Sequence, residues 1–128
     1  KKEKKKIKGE NRAWKEAGKP VVLVNSITAG EFATDFQKKN VIDVRNPSEW
    51  KSGVIENAQL IALADLEKQL SALNKEQHYY IHCAGGYRSM MAASLMKKHG
   101  FTHVTNIKGG IAKIQEAHVP LVEPVLTS

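Results

Sequence analysis

One short stretch of the sequence combines residue types that could do chemistry together. Cys83 is the only cysteine in the 128-residue chain; it precedes Gly85 and Gly86, and Arg88 follows it by five positions. Glycines allow backbone angles that turn several N–H groups into one concavity, and Arg88 adds a permanent cation. These features favour a bound anion and the thiolate form of Cys83, whose thiol has a reference pKa of about 8.5. We therefore interpret Cys83 as a nucleophile in an anion-binding loop rather than as a buried apolar thiol.

The elements around Cys83 must present it at one edge of a sheet. HYYIHC is typical of a strand that ends at the cysteine, and SMMAASLMKKHG of a helix that Gly100 terminates. VIDV and FTHVTNI indicate two more strands, and GGIAKIQEAHVP indicates a final helix ended by Pro120. Strands that alternate with helices predict parallel pairing, so the expected fold class is an α/β three-layer domain with helices on both sheet faces. Ligands of such sheets bind at the carboxyl ends of the strands, where Cys83 is expected to lie.

Two further helices are predicted from capping and spacing. Thr28 followed three positions later by Glu31 forms a capping box, and Phe36 would extend the apolar side of that helix. A second helix begins near Leu63, with Asp65 in its first turn. Its apolar residues recur at helical spacing at positions Leu63, Leu66, Leu70 and Leu73.

Composition and charge exclude several classes of protein. The chain is 41% hydrophobic and 26% charged, and no apolar run reaches the length of about 20 residues that spans a bilayer. The net charge is +7, but residues 1–20 hold nine Lys or Arg and three Glu, so that only +1 belongs to residues 21–128. We therefore expect no nucleic-acid partner and no membrane partner. A single cysteine fits a reducing compartment, which predicts a cytoplasmic location.

The N-terminal segment echoes the end of the chain. KGENRAWKEAGKPV, residues 8–21, aligns without a gap to KGGIAKIQEAHVPL, residues 108–121. Residues 1–20 are therefore predicted to be a basic linker or the tail end of a preceding repeat, and residues 21–128 one domain with a core of about 26–121. This division predicts that the chain is a piece of a larger protein with upstream domains.

Two stretches carry a resemblance to a known family. VIDVRNPSEW and CAGGYRSMMAASLMKKHGFTHVTNIKGGIAKIQEAHVPL resemble the rhodanese domain of sulfurtransferases, over about residues 26–121. The resemblance implies a rhodanese-like three-layer fold with a central, mainly parallel five-stranded sheet. It also implies that Cys83 takes a sulfane sulfur from a small donor, holds it as a persulfide and passes it to a thiol or another thiophilic acceptor.

The same resemblance assigns the remaining site residues. Arg88 would close the loop and stabilise the anion, and Asp43 and Arg45 would support the loop by charge pairing, although a purely structural role for both is equally open. No metal and no cofactor is expected in this chain. The substrate-binding residues would be those whose amides surround the sulfur: Ala84, Gly85, Gly86, Tyr87, Arg88 and Ser89.

Other readings of these motifs remain open. Related phosphatases place their arginine six positions after the cysteine, so the shorter spacing here favours one sulfur atom over a phosphate, and arsenate reduction ranks equally low. Val54 and Asn57 in GVIENA depart from the family pattern, which leaves open a catalytically weak regulatory or binding module.

The loop lacks a second cation, which favours a glutathione or protein persulfide over thiosulfate as the donor. The chain is also similar to the C-terminal rhodanese domain of fusions with a metallo-β-lactamase-fold persulfide dioxygenase.

Overall fold

Short strands form the centre of the molecule. The computed structural model describes residues 24–124. Buried strands here are rich in apolar and β-branched residues, such as Val41 and Ile42 in NVID, and they lie between turns that contain polar residues. Within the described range the strands are β1 (Asn25–Ile27), β2 (Asn40–Asp43), β3 (Val54–Ile55), β4 (Gln59–Leu60), β5 (Tyr79–His82), β6 (Val104–Ile107) and β7 (Leu121–Val122).

Five of these strands pair into one parallel sheet. Their order across the described part of the sheet is β1-β6-β5-β2-β4, while β3 and β7 form a separate antiparallel pair. The prediction of a central five-stranded, mainly parallel sheet is confirmed. The register of strand pairing determines which residues are neighbours at the carboxyl edge of this sheet. Asp43 on β2 lies opposite His82 on β5, and Ile81 on β5 lies opposite Asn106 on β6.

Helices cover both faces of this sheet, which confirms the three-layer architecture. The described helices are α1 (Ala29–Ala33), α2 (Pro47–Trp50), α3 (Leu63–Gln69), α4 (Tyr87–Lys98) and α5 (Gly110–Glu116), with 3₁₀ turns at Phe36–Lys38 and Leu70–Ala72. One face of the sheet packs against α3 and α4 through a cluster that includes Ile81, Leu66 and Met96. The other face packs against α1 and α5 through Phe32 and Ile114.

The helix starts follow the capping signals closely, and the helix ends follow them less well. Thr28 caps α1 as predicted, and Glu31 completes the capping box. The helix then lasts only to Ala33, so Phe36 belongs to the 3₁₀ turn that leads into β2. Asn46 occupies the N-cap position of α2, and the Glu49 carboxylate accepts the N–H of Asn46 at 2.8 Å.

Two predicted boundaries were wrong for reasons of backbone geometry. The helix after Cys83 begins at Tyr87, two residues before the predicted Ser89, because Gly86 already takes the left-handed conformation that ends the loop. The last helix ends at Glu116 rather than at Pro120, since His118 has a φ of 69° and cannot continue it.

Two remaining predictions concern the N-terminal segment and the absence of a membrane span. The linker or repeat assigned to residues 1–20 lies outside the described residues, and it stays a prediction. Between residues 24 and 124, none of the helices combines the length and the apolar character that crossing a membrane requires.

A second glycine turn presses against the loop that follows β5. The N–H of Ile111 donates to the carbonyl of Cys83 at 2.9 Å. Gly110 has a φ of 72°, and a Cβ at this position would overlap the carbonyl oxygen of Ala84. The connection between β6 and α5 therefore holds the loop after β5 in place, and it can do so only without a side chain at Gly110.

We predict that Gly110→Ala destabilises the protein by about 3 kcal/mol, because the new methyl group must displace the Ala84 carbonyl while a residue with a Cβ is forced to a positive φ. Urea unfolding followed by circular dichroism measures the loss. Gly30→Ala is the matched control, since a Cβ there meets only ordinary contacts in α1, and it should change stability by less than about 1 kcal/mol. Equal effects of the two substitutions would contradict this role of Gly110.

Candidate active site

Cys83 lies directly after β5, at the carboxyl edge of the sheet, as the sequence predicted. Its side chain is 1% exposed and points toward the face covered by α3 and α4. The loop then turns through Gly86, whose φ of 105° directs its N–H back toward the sulfur. Sγ of Cys83 accepts the N–H of Gly86 at 3.0 Å and the N–H of Ser89, in the first turn of α4, at 3.3 Å. The thiol therefore lies among inward-facing backbone donors.

Hydrogen bonds to the sulfur outweigh the effect of burial on its ionisation. Burial by itself raises the pKa of the Cys83 thiol, because it disfavours the charged form. The side-chain hydrogen bond with Ser89 and the N–H groups of Ser89, Gly86 and Gly85 lower the pKa, and the net shift is downward. A larger thiolate fraction at neutral pH makes Cys83 a stronger candidate nucleophile than an ordinary buried cysteine.

A buried polar chain lies behind the sulfur. Oγ of Ser89 is 3.5 Å from Sγ of Cys83 and 2.5 Å from Oδ1 of Asn106, which is 3% exposed. The amide of Asn106 in turn donates to Oγ of Ser26 on β1 at 3.3 Å. Asn106 and Ser26 were not predicted as site residues. The available signal was a polar residue, Asn106, inside a strand that is otherwise buried on both faces.

Arg88 makes an ion pair that the sequence analysis did not indicate. Its Nη1 and Nη2 donate to Oε1 and Oε2 of Glu49 at 2.8 and 2.9 Å. The Arg88 hydrogen bond is the largest cause of a fall in the pKa of Glu49 to about 2, and the N–H of Asn46 adds to it. The guanidinium expected to close the loop is thus held by a carboxylate from α2, and Glu49 joins the candidate site. Its signal was the capping box that it forms with Asn46.

Asp43 and Arg45 pair with each other in the interior. Nη2 of Arg45 donates to Oδ2 of Asp43 at 2.7 Å and to the Gly53 carbonyl at 2.8 Å, and both side chains are at most 3% exposed. Nη1 of Arg45 also reaches the carbonyl of Glu49 at 3.4 Å. His82 Nε2 lies 3.5 Å from the Asp43 carboxylate. The hydrogen bond from Arg45 to the carbonyl of Glu49 also connects this pair to Arg88 on α4.

The other predicted loop residues differ in exposure. Tyr87 is 75% exposed, so its side chain lies at the surface of the loop, and Ala84 is half-buried. Met96 is buried, whereas Met90 and Met91 are exposed on the first turns of α4. Residues 24–124 contain no group of three or more His, Cys, Asp or Glu that could hold a metal ion.

We predict that Ser89→Ala raises the pKa of the Cys83 thiol, because the substitution removes the side-chain hydrogen bond between Ser89 and the sulfur and leaves burial as the strongest remaining influence. The pH dependence of alkylation of Cys83 by iodoacetamide should shift to higher pH. Ser94→Ala, on the same helix, controls for the loss of a hydroxyl in α4 and should leave the profile unchanged. A profile that Ser89→Ala does not move would show that the hydroxyl does not act on the sulfur.

We predict that Arg45→Met lowers the free energy of unfolding by about 3–5 kcal/mol, since it leaves the buried Asp43 carboxylate without a compensating charge. Chemical denaturation at pH 7 measures the change. Lys51→Met alters an exposed cation that follows α2 and should have an effect within about 0.5 kcal/mol. A loss for Arg45→Met no greater than that of the control would mean that the pair contributes little.

Comparisons with known proteins agree on one family. The model of the rhodanese-like domain family matches residues 28–117. An uncharacterized protein of Bacillus subtilis, YqhL, is 33% identical over 91 residues, which are 71% of this chain and 72% of that protein. A sulfurtransferase of Allochromatium vinosum is 26% identical over 79% of this chain and 94% of its own length. The crystal structure of a rhodanese-related protein from Thermoplasma volcanium, 29% identical, superposes with a TM-score of 0.73 and covers 78% of this chain and 99% of that one. The chain therefore belongs to the rhodanese-like domain family.

Proposed function

We propose that this chain is a sulfurtransferase domain in which Cys83 carries the transferred sulfur. The observation that carries the proposal is the set of contacts on one sulfur atom: the N–H groups of Gly86 and Ser89 donate to Sγ at 3.0 and 3.3 Å, and Oγ of Ser89 lies 3.5 Å from it. Such donors stabilise a thiolate, and they would equally stabilise the negative charge of a persulfide formed on it. A relative covered over 94% of its length is named a sulfurtransferase, which supports the same conclusion.

The transfer consists of two displacements at sulfur. The Cys83 thiolate attacks the outer sulfur of a donor persulfide, a new S–S bond forms, and the S–S bond of the donor breaks. The proton of the donor persulfide leaves with the departing thiolate, so the products are a Cys83 persulfide anion and a free thiol. An acceptor thiolate then attacks the outer sulfur, and Cys83 departs as the thiolate that the loop stabilises.

The size of the loop favours sulfur over phosphate. Arg88 follows Cys83 by five positions, and the N–H groups of Gly86 and Ser89 are directed at Sγ itself. A phosphatase needs donors directed at three oxygens beyond the sulfur, together with an arginine free to bind them. Arg88 instead binds Glu49 through both terminal nitrogens.

Several finer features belong to the same proposal. The donor would be a glutathione or protein persulfide, or thiosulfate, and the acceptor a thiol or another thiophile. Upstream domains of the same polypeptide would include a metallo-β-lactamase-fold persulfide dioxygenase that oxidises persulfides, while this domain would relay sulfur, and the protein would act in the cytoplasm. The echo between residues 8–21 and 108–121 supports the existence of a preceding repeat.

We predict that incubation with glutathione persulfide adds the mass of one sulfur atom to the protein, and that a subsequent thiol removes it, because Cys83 is the only cysteine. Intact-mass spectrometry before and after the thiol measures both steps. Cys83→Ser is the matched control and should gain no sulfur. A wild-type protein that gains no sulfur while its thiol remains reactive would leave a binding or regulatory module as the better conclusion.

A further inference from the structure

The loop has one cation, and that cation is already paired. Arg88 is the only Lys or Arg among residues 83–89. Both of its terminal nitrogens bind the Glu49 carboxylate, and the two side chains are 29% and 32% exposed. At this exposure water screens the pair incompletely, so the carboxylate cancels much of the positive potential that Arg88 would otherwise project toward the sulfur.

Other contacts hold Glu49 in this position. Oε1 of Glu49 accepts the N–H of Asn46 at 2.8 Å as well as Nη1 of Arg88. The backbone carbonyl of Glu49 accepts a hydrogen bond from Nη1 of Arg45 at 3.4 Å, and Arg45 is itself bound to the buried Asp43. The carboxylate is thus placed by the cap of α2 and by the interior of the domain, before any donor arrives. Its pKa of about 2 keeps it ionised throughout the physiological range.

Donors of sulfane sulfur differ in the charge they bring to Sγ. Thiosulfate carries two negative charges beside the reacting sulfur, so its approach to the Cys83 thiolate brings three negative charges together. An organic persulfide has an uncharged S–SH group when protonated, and any carboxylates of its carrier lie farther away. A free guanidinium would lower the electrostatic cost of bringing the dianion to the thiolate far more than the cost of bringing the neutral group. A guanidinium paired with a carboxylate cannot lower that cost in the same way.

We propose that Glu49 determines donor specificity: by neutralising Arg88 it makes the Cys83 loop discriminate against dianionic donors such as thiosulfate and accept organic persulfides. This inference rests on the proposed sulfur transfer for its biological meaning. The effect of Glu49 on the electrostatic potential at the sulfur can be measured on the Cys83 thiolate without any sulfur transfer. Glu49 acts here through Arg88, and it is a positioning residue rather than a group that touches the reacting sulfur.

The central variant is Glu49→Gln, which removes the charge and keeps the capping box, because Gln also serves at this position. Glu76→Gln removes an exposed acidic residue in the turn before β5, at the opposite end of that strand from Cys83. Glu49→Asp keeps the charge while shortening the side chain. Circular dichroism confirms that each variant is folded, and Cys83 remains the only thiol in all of them.

The first measurement compares alkylation of Cys83 by iodoacetate, an anion, and by iodoacetamide, which is neutral. The ratio of the two rates cancels any change in the thiolate fraction and reports the potential at the sulfur. We expect Glu49→Gln to raise this ratio about tenfold, and Glu76→Gln and Glu49→Asp to leave it within about twofold. Adding Arg88→Gln to Glu49→Gln should abolish the increase. An unchanged ratio in Glu49→Gln would overturn the proposal whether or not the protein transfers sulfur.

The second measurement follows loading of Cys83 by thiosulfate and by glutathione persulfide in a single turnover, by intact mass. We expect Glu49→Gln to raise the rate for thiosulfate relative to that for glutathione persulfide about tenfold. An equal change for both donors would refute Glu49 as a specificity residue. If the alkylation ratio rises and neither donor loads any variant, the charge neutralisation stands and the proposed sulfur transfer fails.

Discussion

The structure depends on one steric and electrostatic constraint, which is that the chain must turn its N–H groups inward around a single sulfur. Gly86 meets this constraint with a left-handed backbone, and α4 begins at the next residue so that the N–H of Ser89 also faces Sγ of Cys83. The loop stays in this shape because the turn at Gly110 packs against the carbonyl of Ala84 at a distance that no side chain allows. Two separate glycine turns, from two crossovers of the sheet, therefore fix the shape of the loop around Sγ.

Charge is distributed around this loop in two ion pairs of different burial. The inner pair, Asp43 and Arg45, is almost fully buried and connects the end of β2 to the start of α2. The outer pair, Glu49 and Arg88, connects α2 to α4 at the surface. A hydrogen bond from Arg45 to the carbonyl of Glu49 links the two. The cation of the Cys83 loop is thereby attached to the core, and the Glu49 carboxylate balances its charge.

Much of the architecture could be predicted because its signals are local. The apolar runs around Val41 and Ile81, the capping box at Thr28 and the glycines after Cys83 each act over a few residues, and each predicted element exists near its expected place. The boundaries were less predictable. Whether a helix begins at Tyr87 or Ser89, or ends at Glu116 or Pro120, depends on backbone angles at Gly86 and His118 that the neighbouring loops impose.

By itself, the sequence determined the chemical identity of the site: a single thiol at a strand end, flexible glycines after it and an arginine five positions on. Only the tertiary structure decided what each of these groups binds. Asn106 reaches Ser89 because β5 and β6 pair in one particular register, and Glu49 reaches Arg88 across 39 residues of sequence because α2 and α4 meet at the same edge of the sheet. Contacts of this kind depend on strand order and crossover geometry. Local residue patterns carry little information about either, and so the charge state of the loop became visible only in the folded chain.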